Sequence, residues 1–216
     1  MDAPRLFISM GTPYTELQTK FRDELENFLR DNCGVNPRII GKNEYPDGSP
    51  LAKIKEVMSG CHGVVIVAYE RKYLQDGAEK RGGDSEKPLA NKVYTTPWNH
   101  IESALAFALN LPLYIICQKN LTEEGLIEAK IDWYVQYVDI DPAEFSKVNV
   151  RESLRSWVNE RVLPHAHKPT VLTGLIGRLK MSELTLEQIG LIWGTLAAVF
   201  FFGVGVGHLL PNIHGG

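Results

Sequence analysis

A doubly wound α/β domain built on a parallel sheet is the fold this sequence predicts, on three observations. Short apolar runs alternate with segments of helical periodicity from Arg5 to Val162. Two of those runs, His62–Tyr69 (HGVVIVAY) and Pro112–Cys117 (PLYIIC), are uninterrupted apolar stretches, the mark of strands covered on both faces. Turn residues separate the runs, with Pro46-Asp47-Gly48 the clearest turn signal in the chain.

The elements follow in order. Arg5–Ser9 (RLFIS) is a short strand, SMGTPYTE a loop, and a helix is expected over Glu16–Asp31. Leu17, Phe21, Leu25, Phe28 and Leu29 lie at helical spacing within it. Pro37–Ile40 is a second strand. Ser49 caps a helix over Pro50–Ser59, with proline in its first turn, where its missing N–H costs nothing. His62–Tyr69 is the third strand. Glu70–Pro97, charged, glycine-containing and aperiodic, reads as a long loop without structure of its own, expected to be mobile and to order over ligand. A helix then opens at Pro97 and is stopped by Asn110 and Pro112, with an expected buried stripe of Ile101, Ala104, Leu105, Ala108 and Leu109. PLYIIC is the fourth strand, Leu121–Lys130 a short helix, Asp132–Ile140 the fifth strand region and Pro142–Val162 a final helix. The order strand-helix repeated five times implies a flavodoxin-like five-stranded parallel sheet with helices on both faces, and ligands beyond the carboxyl ends of the strands.

Composition bounds the function. With 216 residues, 44% hydrophobic content and a net charge of −3, the chain can bury a core. The same charge argues against general affinity for nucleic acid. Cys33, Cys61 and Cys117 show no metal-ligand spacing, which points to a reducing, cytosolic setting for the main domain. The N-terminal MDAPRLFISM lacks the long apolar region of a signal peptide, and no internal repeat is visible.

The sequence divides into a domain (1–163), a basic linker (164–188), an apolar segment (189–210) and a short tail (211–216). His165 and His167 in the linker have nothing nearby to complete a metal site, so no metal is expected. The apolar segment carries no Asp, Glu, Lys or Arg over 22 residues. At a rise of ~1.5 Å per residue it spans the ~30 Å hydrocarbon core of a bilayer. It is expected to be a transmembrane tail anchor with the domain on the cytoplasmic face, since the positive residues precede it. Gly190-x-x-x-Gly194 and Gly203-x-x-x-Gly207 within it would let two such helices pair.

Within the Pro97 helix, Glu102 lies one turn after Trp98, so the two side chains share a face at the margin of the expected stripe. A surface glutamate near a helix N-terminus is the plainer reading of that residue alone. Several segments in the right order resemble a TIR (Toll/interleukin receptor) domain over Arg5–Val162. These are LFIS in the first strand, Pro46-Asp47-Gly48 before a helix, SGCHGVVIVAYERKYL, and Trp98-x-x-x-Glu102 followed by a small-residue helix and NLPLYIIC. The last resembles the tryptophan-to-glutamate segment of TIR enzymes that cleave NAD+. The first loop, SMGTPYTE, departs from the family's frequent Ser-Tyr followed by charged residues. Nucleoside deoxyribosyltransferases share this fold, also use a glutamate, and are a rival.

The resemblance implies an NAD+ glycohydrolase, with NAD+ or a related nucleotide as substrate, no cofactor, self-association through the domain and the glycine motifs, and a role in cell-suicide immunity. Cleaving the nicotinamide–ribose bond builds positive charge on the sugar, which a placed carboxylate stabilises. Glu102 takes that role, and Trp98 stacks on the departing ring. Ser9, Gly11 and Thr12 are candidate contacts to phosphate or the second ribose, by position. Tyr14 and Tyr69 either line the same edge or are boundary aromatics. Two non-catalytic readings stay open: an interaction module associating through Tyr45, Pro46, Asp47 and Gly48, or a nucleotide-signal receptor acting through the membrane helix.

Overall fold

Among the described residues, seven strands form in chain order: β1 (Arg5–Met10), β2 (Asn36–Arg38), β3 (Val64–Ala68), β4 (Lys72–Glu79), β5 (Lys87–Tyr94), β6 (Leu113–Gln118) and β7 (Tyr134–Val138). The structure, a computed structural model, describes residues 2–45, 48–128 and 133–167. All of them lie in the first of two compact units, Met1–Lys168 and Pro169–Gly216. Five strands make one sheet in the order β2-β1-β3-β6-β7, and every pairing in it is parallel. This is the flavodoxin-like order, with the direction of winding reversing beside β1.

The α-helices are α1 (Glu16–Asn27), α2 (Pro50–Ser59), α3 (Pro97–Ala108), α4 (Val148–Trp157) and α5 (Leu163–Ala166). Side chains alternate along each strand, so the sheet builds two cores. Leu6 and Ile8 of β1 pack with Phe21 and Leu25 of α1 and Leu154 of α4. Phe7 points the other way, toward Ile54 and Met58 of α2 and Ala106 of α3. Val64–Ala68 is buried at every position, which is why β3 reads as an unbroken apolar run. The helix starts follow from local chemistry. The Thr15 and Ser49 side chains accept from the Gln18 and Ala52 amides, and Thr96 Oγ1 accepts from Trp98 N–H at 3.3 Å.

Several expectations are corrected. The Glu70–Pro97 segment is not structureless: β4 and β5 form an antiparallel ribbon registered from Lys72↔Tyr94 to Glu79↔Lys87. Both faces of this ribbon are largely exposed, so no apolar alternation marked it in the sequence. The short helix expected over Leu121–Lys130 is reduced to a single 3₁₀ turn at Gly125–Ile127 among the described residues. The second strand sits at Asn36–Arg38, earlier than expected. The final helix is composite: a 3₁₀ turn at Pro142–Ser146, then α4, then a π turn at Val158–Val162.

The largest correction concerns α3. Its buried residues are Asn99, Glu102, Ser103 and Ala106. Ile101, Ala104 and Ala108 of the expected stripe are exposed, and Leu105 and Leu109 are only partly covered. The helix turns a mostly polar face inward, which is tolerable only because those groups find partners. No helix among the described residues is long and apolar enough to cross a membrane. The 189–210 segment expected to do so, with its glycine motifs, lies outside the described residues, as do Pro46 and Asp47.

Candidate active site

Ser9 is the residue at which β1 meets α3. It follows Phe7 by two, so the pleat aims it at the same face, and it is 1% exposed. The Asn99 amide nitrogen donates to Ser9 Oγ at 2.9 Å and lies 3.4 Å from the Ser9 carbonyl oxygen. Thr95, just before the helix, donates from Oγ1 to Asn99 Oδ1 at 2.7 Å. One turn further on, Ser103 Oγ donates to the Asn99 carbonyl at 2.6 Å. Buried Thr95, Asn99 and Ser103 thus form a satisfied polar seam between helix and sheet.

Glu102 shares that seam and is 7% exposed. Among the described residues it makes no ion pair with Lys, Arg or His. Burial pushes its carboxyl from 4.5 up to about 7, while a hydrogen bond with the Ser9 hydroxyl pulls the other way. A desolvated acid poised near neutrality at the carboxyl end of a parallel sheet is a functional-site candidate with a physical cause. Such a group can serve as the ionised stabiliser of a developing positive charge or, when protonated, as an acid. Trp98, one turn earlier, is 44% exposed, so its ring belongs to the rim and not to the core.

The loop after β1 closes over the same edge. Tyr69 Oη donates to the Gly11 carbonyl, and Arg71 Nη1 donates to the Thr12 carbonyl at 3.2 Å. A Cβ on Gly11 would meet Tyr69 Oη at 3.6 Å and Thr96 Cγ2 at 3.8 Å, so this loop lies between β3's end and the start of α3. Tyr14 Oη donates to the Glu70 carbonyl at 2.9 Å, and the Arg71 guanidinium sits 5.6 Å over the Tyr14 ring. Tyr69 is buried, and burial pushes its phenol up to about 12. The structure therefore brings Ser9, Gly11, Thr12, Tyr14 and Tyr69 to the strand edge that the polar face of α3 borders. Tyr45 stays apart: it is exposed and its hydroxyl donates to the Lys42 carbonyl at 2.6 Å, within its own loop; Gly48 is exposed too.

Asn99, Thr95, Ser103 and Arg71 were missed in the sequence. An asparagine in a helix's first turn, three residues after a threonine cap, reads as capping chemistry. The one signal was spacing: Asn99 and Glu102 are three apart and share a face.

A cavity of about 520 Å³ lies elsewhere, at the opposite end of the sheet, lined by Leu113, Trp133, Tyr134 and Trp157 among others. Its aromatic wall could take a ring, but the one carboxylate among its described lining residues, Glu160, is exposed, and Glu102 is not among them. Among the described residues no cluster of three or more His, Cys, Asp or Glu could hold a metal ion.

No family model and no curated protein matches this chain. Solved structures do. A CMP N-glycosidase of Clostridium botulinum, BcmB, is 14% identical, with 71% of this chain and 98% of that chain covered at a TM-score of 0.44. The TIR domains of the activated Roq1 resistosome, which directly recognizes the pathogen effector XopQ, are 13% identical. There 73% of this chain and 84% of that chain are covered, at a TM-score of 0.34. The role of Glu102 rests on the residues themselves.

Proposed function

We propose that this chain hydrolyses the bond between nicotinamide and ribose in NAD+, with Glu102 as the catalytic carboxylate. The observation that carries the reading is a carboxyl buried against Ser9 near the end of β1, with no cation partner among the described residues and pushed up to about 7 by that burial. A structural carboxylate in such a place would be paired with Arg or Lys, and its charge would be spent. An unpaired one is complemented by whatever positive charge arrives. The oxocarbenium-like transition state of N-glycosidic cleavage supplies that charge at the sugar carbon, and only in the transition state. Glu102 then stabilises the transition state more than the substrate. Trp98 at the rim offers a face to the nicotinamide ring, and Arg71 with the Gly11–Thr12 loop offers positive charge and polar backbone for the phosphates.

The test is direct. Purified protein is incubated with NAD+ and nicotinamide release is followed by chromatography, for wild type and Glu102→Gln. Release by wild type and loss of at least about a hundredfold in the variant support the assignment. Equal rates in the two proteins overturn it. A parallel incubation with paired deoxynucleosides and free bases separates out the deoxyribosyl-transfer rival, which would exchange bases.

The 189–210 segment is proposed, on composition alone, to anchor the protein as a single-pass tail with its domain cytoplasmic. Resistance of the full chain to alkaline carbonate extraction tests that placement. Pairing through Gly190, Gly194, Gly203 and Gly207 would raise the effective concentration of domains on the membrane.

A further inference from the structure

The hydrogen-bond seam beside Glu102 has a direction. The Ser9 carbonyl can only accept, so the Asn99 group facing it must be the NH₂. The Asn99 carbonyl oxygen is thereby turned to Thr95, whose hydroxyl donates to it at 2.7 Å. With the amide fixed at both ends, Asn99 Nδ2 donates to Ser9 Oγ at 2.9 Å. Ser9 Oγ has one proton of its own, and the side facing Asn99 is already occupied by a donor. That proton is left for another acceptor, and the Ser9 hydroxyl is the group that draws the Glu102 carboxyl back toward its ionised form.

We propose that Asn99, clamped by Thr95, is a positioning residue that makes Ser9 an obligate donor to Glu102 and so fixes the orientation of the carboxylate. The inference rests on the reading of Glu102 as the reacting carboxylate, and it assigns functions to Thr95, Asn99 and Ser9 within that site. The relay matters because, among the described residues, no cation orients Glu102. One aimed hydroxyl is what holds the carboxylate toward the site and favours its charged form.

Charged neighbours do not obscure the effect. The elements packed on α3 present Tyr69 at the end of β3 and Cys117 in β6, each kept neutral by burial with values pushed up to about 12. On α2, Lys53 pairs with Glu56 at 3.0 Å. On the far side of α3, His100 lies 3.9 Å from Glu124 beside the Gly125–Ile127 turn. At the base of the ribbon, Arg71 acts on Tyr69 and lies over Tyr14. Ser9 is therefore the handle through which Glu102 can be tuned.

The experiment follows the titration of Glu102 itself, by carbon-13 NMR of its side-chain carboxyl, alongside the pH profile of nicotinamide release. The variants are Ser9→Ala, Ser9→Thr, Asn99→Asp and Thr95→Val. Ser9→Ala removes the donor. Asn99→Asp replaces NH₂ by an acceptor, so the Ser9 proton turns to the new carboxylate and away from Glu102. Both should raise the Glu102 midpoint by about one unit. The acidic limb of kcat should move with it, giving about a fivefold loss near pH 7 that shrinks toward parity at about pH 9. Ser9→Thr keeps the hydroxyl and should restore the wild-type midpoint, and Thr95→Val should give a smaller rise in the same direction.

Midpoints unchanged within about 0.3 unit in folded Ser9→Ala and Thr95→Val overturn the relay, whatever happens to turnover. A loss of activity equal at all pH values, or a rise in KM alone, overturns it as well and makes Ser9 a substrate contact or a packing residue. Midpoints that move in a protein that releases no nicotinamide uphold the relay and sink the glycohydrolase reading. The two failures are thus distinguishable.

Discussion

At Glu102, burial and charge oppose each other, and the sign of that opposition is measurable. Below about pH 4 the folded and unfolded chains both hold the proton, and the site costs nothing electrostatically. As pH rises from 4.5 toward 7, the unfolded chain releases its proton while the folded carboxyl, pushed up to about 7 by burial, retains it. The unfolded state binds fewer protons over that window, so stability falls through it, and above about 7 the whole penalty is present. Glu102→Gln cannot ionise. It should therefore be more stable than wild type by up to about 3 kcal/mol near pH 8 and nearly equal near pH 4, in urea melts at the two values. Lower stability than wild type at both would mean that the carboxylate is structural. Trp98, largely at the rim, predicts the complementary pattern. Trp98→Ala should cost turnover far more than Trp98→Phe, with little change in melting temperature for either. At this scale the sequence showed the spacing of Trp98 and Glu102, since one helical turn is a fixed geometry. It could not show the Ser9–Asn99 bond, because a contact across 90 residues depends on tertiary packing and leaves no local period.

On the scale of elements, α3 and the β4–β5 ribbon are where pattern and structure part. Periodicity assigns the more apolar face of a helix inward, and on α3 that rule selects Ile101, Ala104 and Ala108, all of which are exposed. The polar face wins because it meets Ser9 and the end of β1, where each buried group is satisfied. Satisfied polar contacts have overridden a propensity, the pattern expected of a candidate functional site. The ribbon failed to show for the opposite reason: exposed on both sides, it has no face for a pattern to mark. Its strands are held by each other, and its attachment is at the base, where Arg71 N–H donates to the Tyr94 carbonyl at 2.8 Å and Thr122 N–H to the Val93 carbonyl at 2.7 Å. The ribbon can therefore be removed above that base. Deleting Leu74–Lys92 and joining Tyr73 to Val93, which pair across the ribbon, through an Asn-Gly turn keeps every one of those base contacts. The melting temperature should fall by no more than about 4 °C, while KM for NAD+ rises if the ribbon flanks the bound nucleotide. A collapse of cooperative unfolding would show that the ribbon supports the core. An unchanged KM would confine it to a role outside the site.

Taken over the whole molecule, the parts the sequence showed best are those governed by burial. β1, β3 and β6 sit in the middle of the sheet, and their apolar runs, with the turns between them, were enough to order the parallel strands. Among the described residues, the two cores they build reach as far as Leu163 on one face and Val135 on the other. The C-terminal helices close the first of them at close range. A Cβ on Gly63, just before β3, would lie 2.9 Å from Val162 Cγ2 and 3.0 Å from Leu6 Cδ1, so there is no slack between the sheet and the chain that ends the domain. The described core therefore needs the chain through Leu163, with the α5 turn after it. A fragment Met1–His167 should fold by itself, with one cooperative thermal transition within about 3 °C of the domain transition in the detergent-solubilised full chain. A second fragment ending at Trp157 removes Val158 and Val162, both buried in the first core, and should lose several kcal/mol or fail to fold. If Met1–His167 melts without cooperativity, the segment after it contributes to the core. Equal stability of the two fragments would mean instead that the Val158–Val162 turn is peripheral, against its burial.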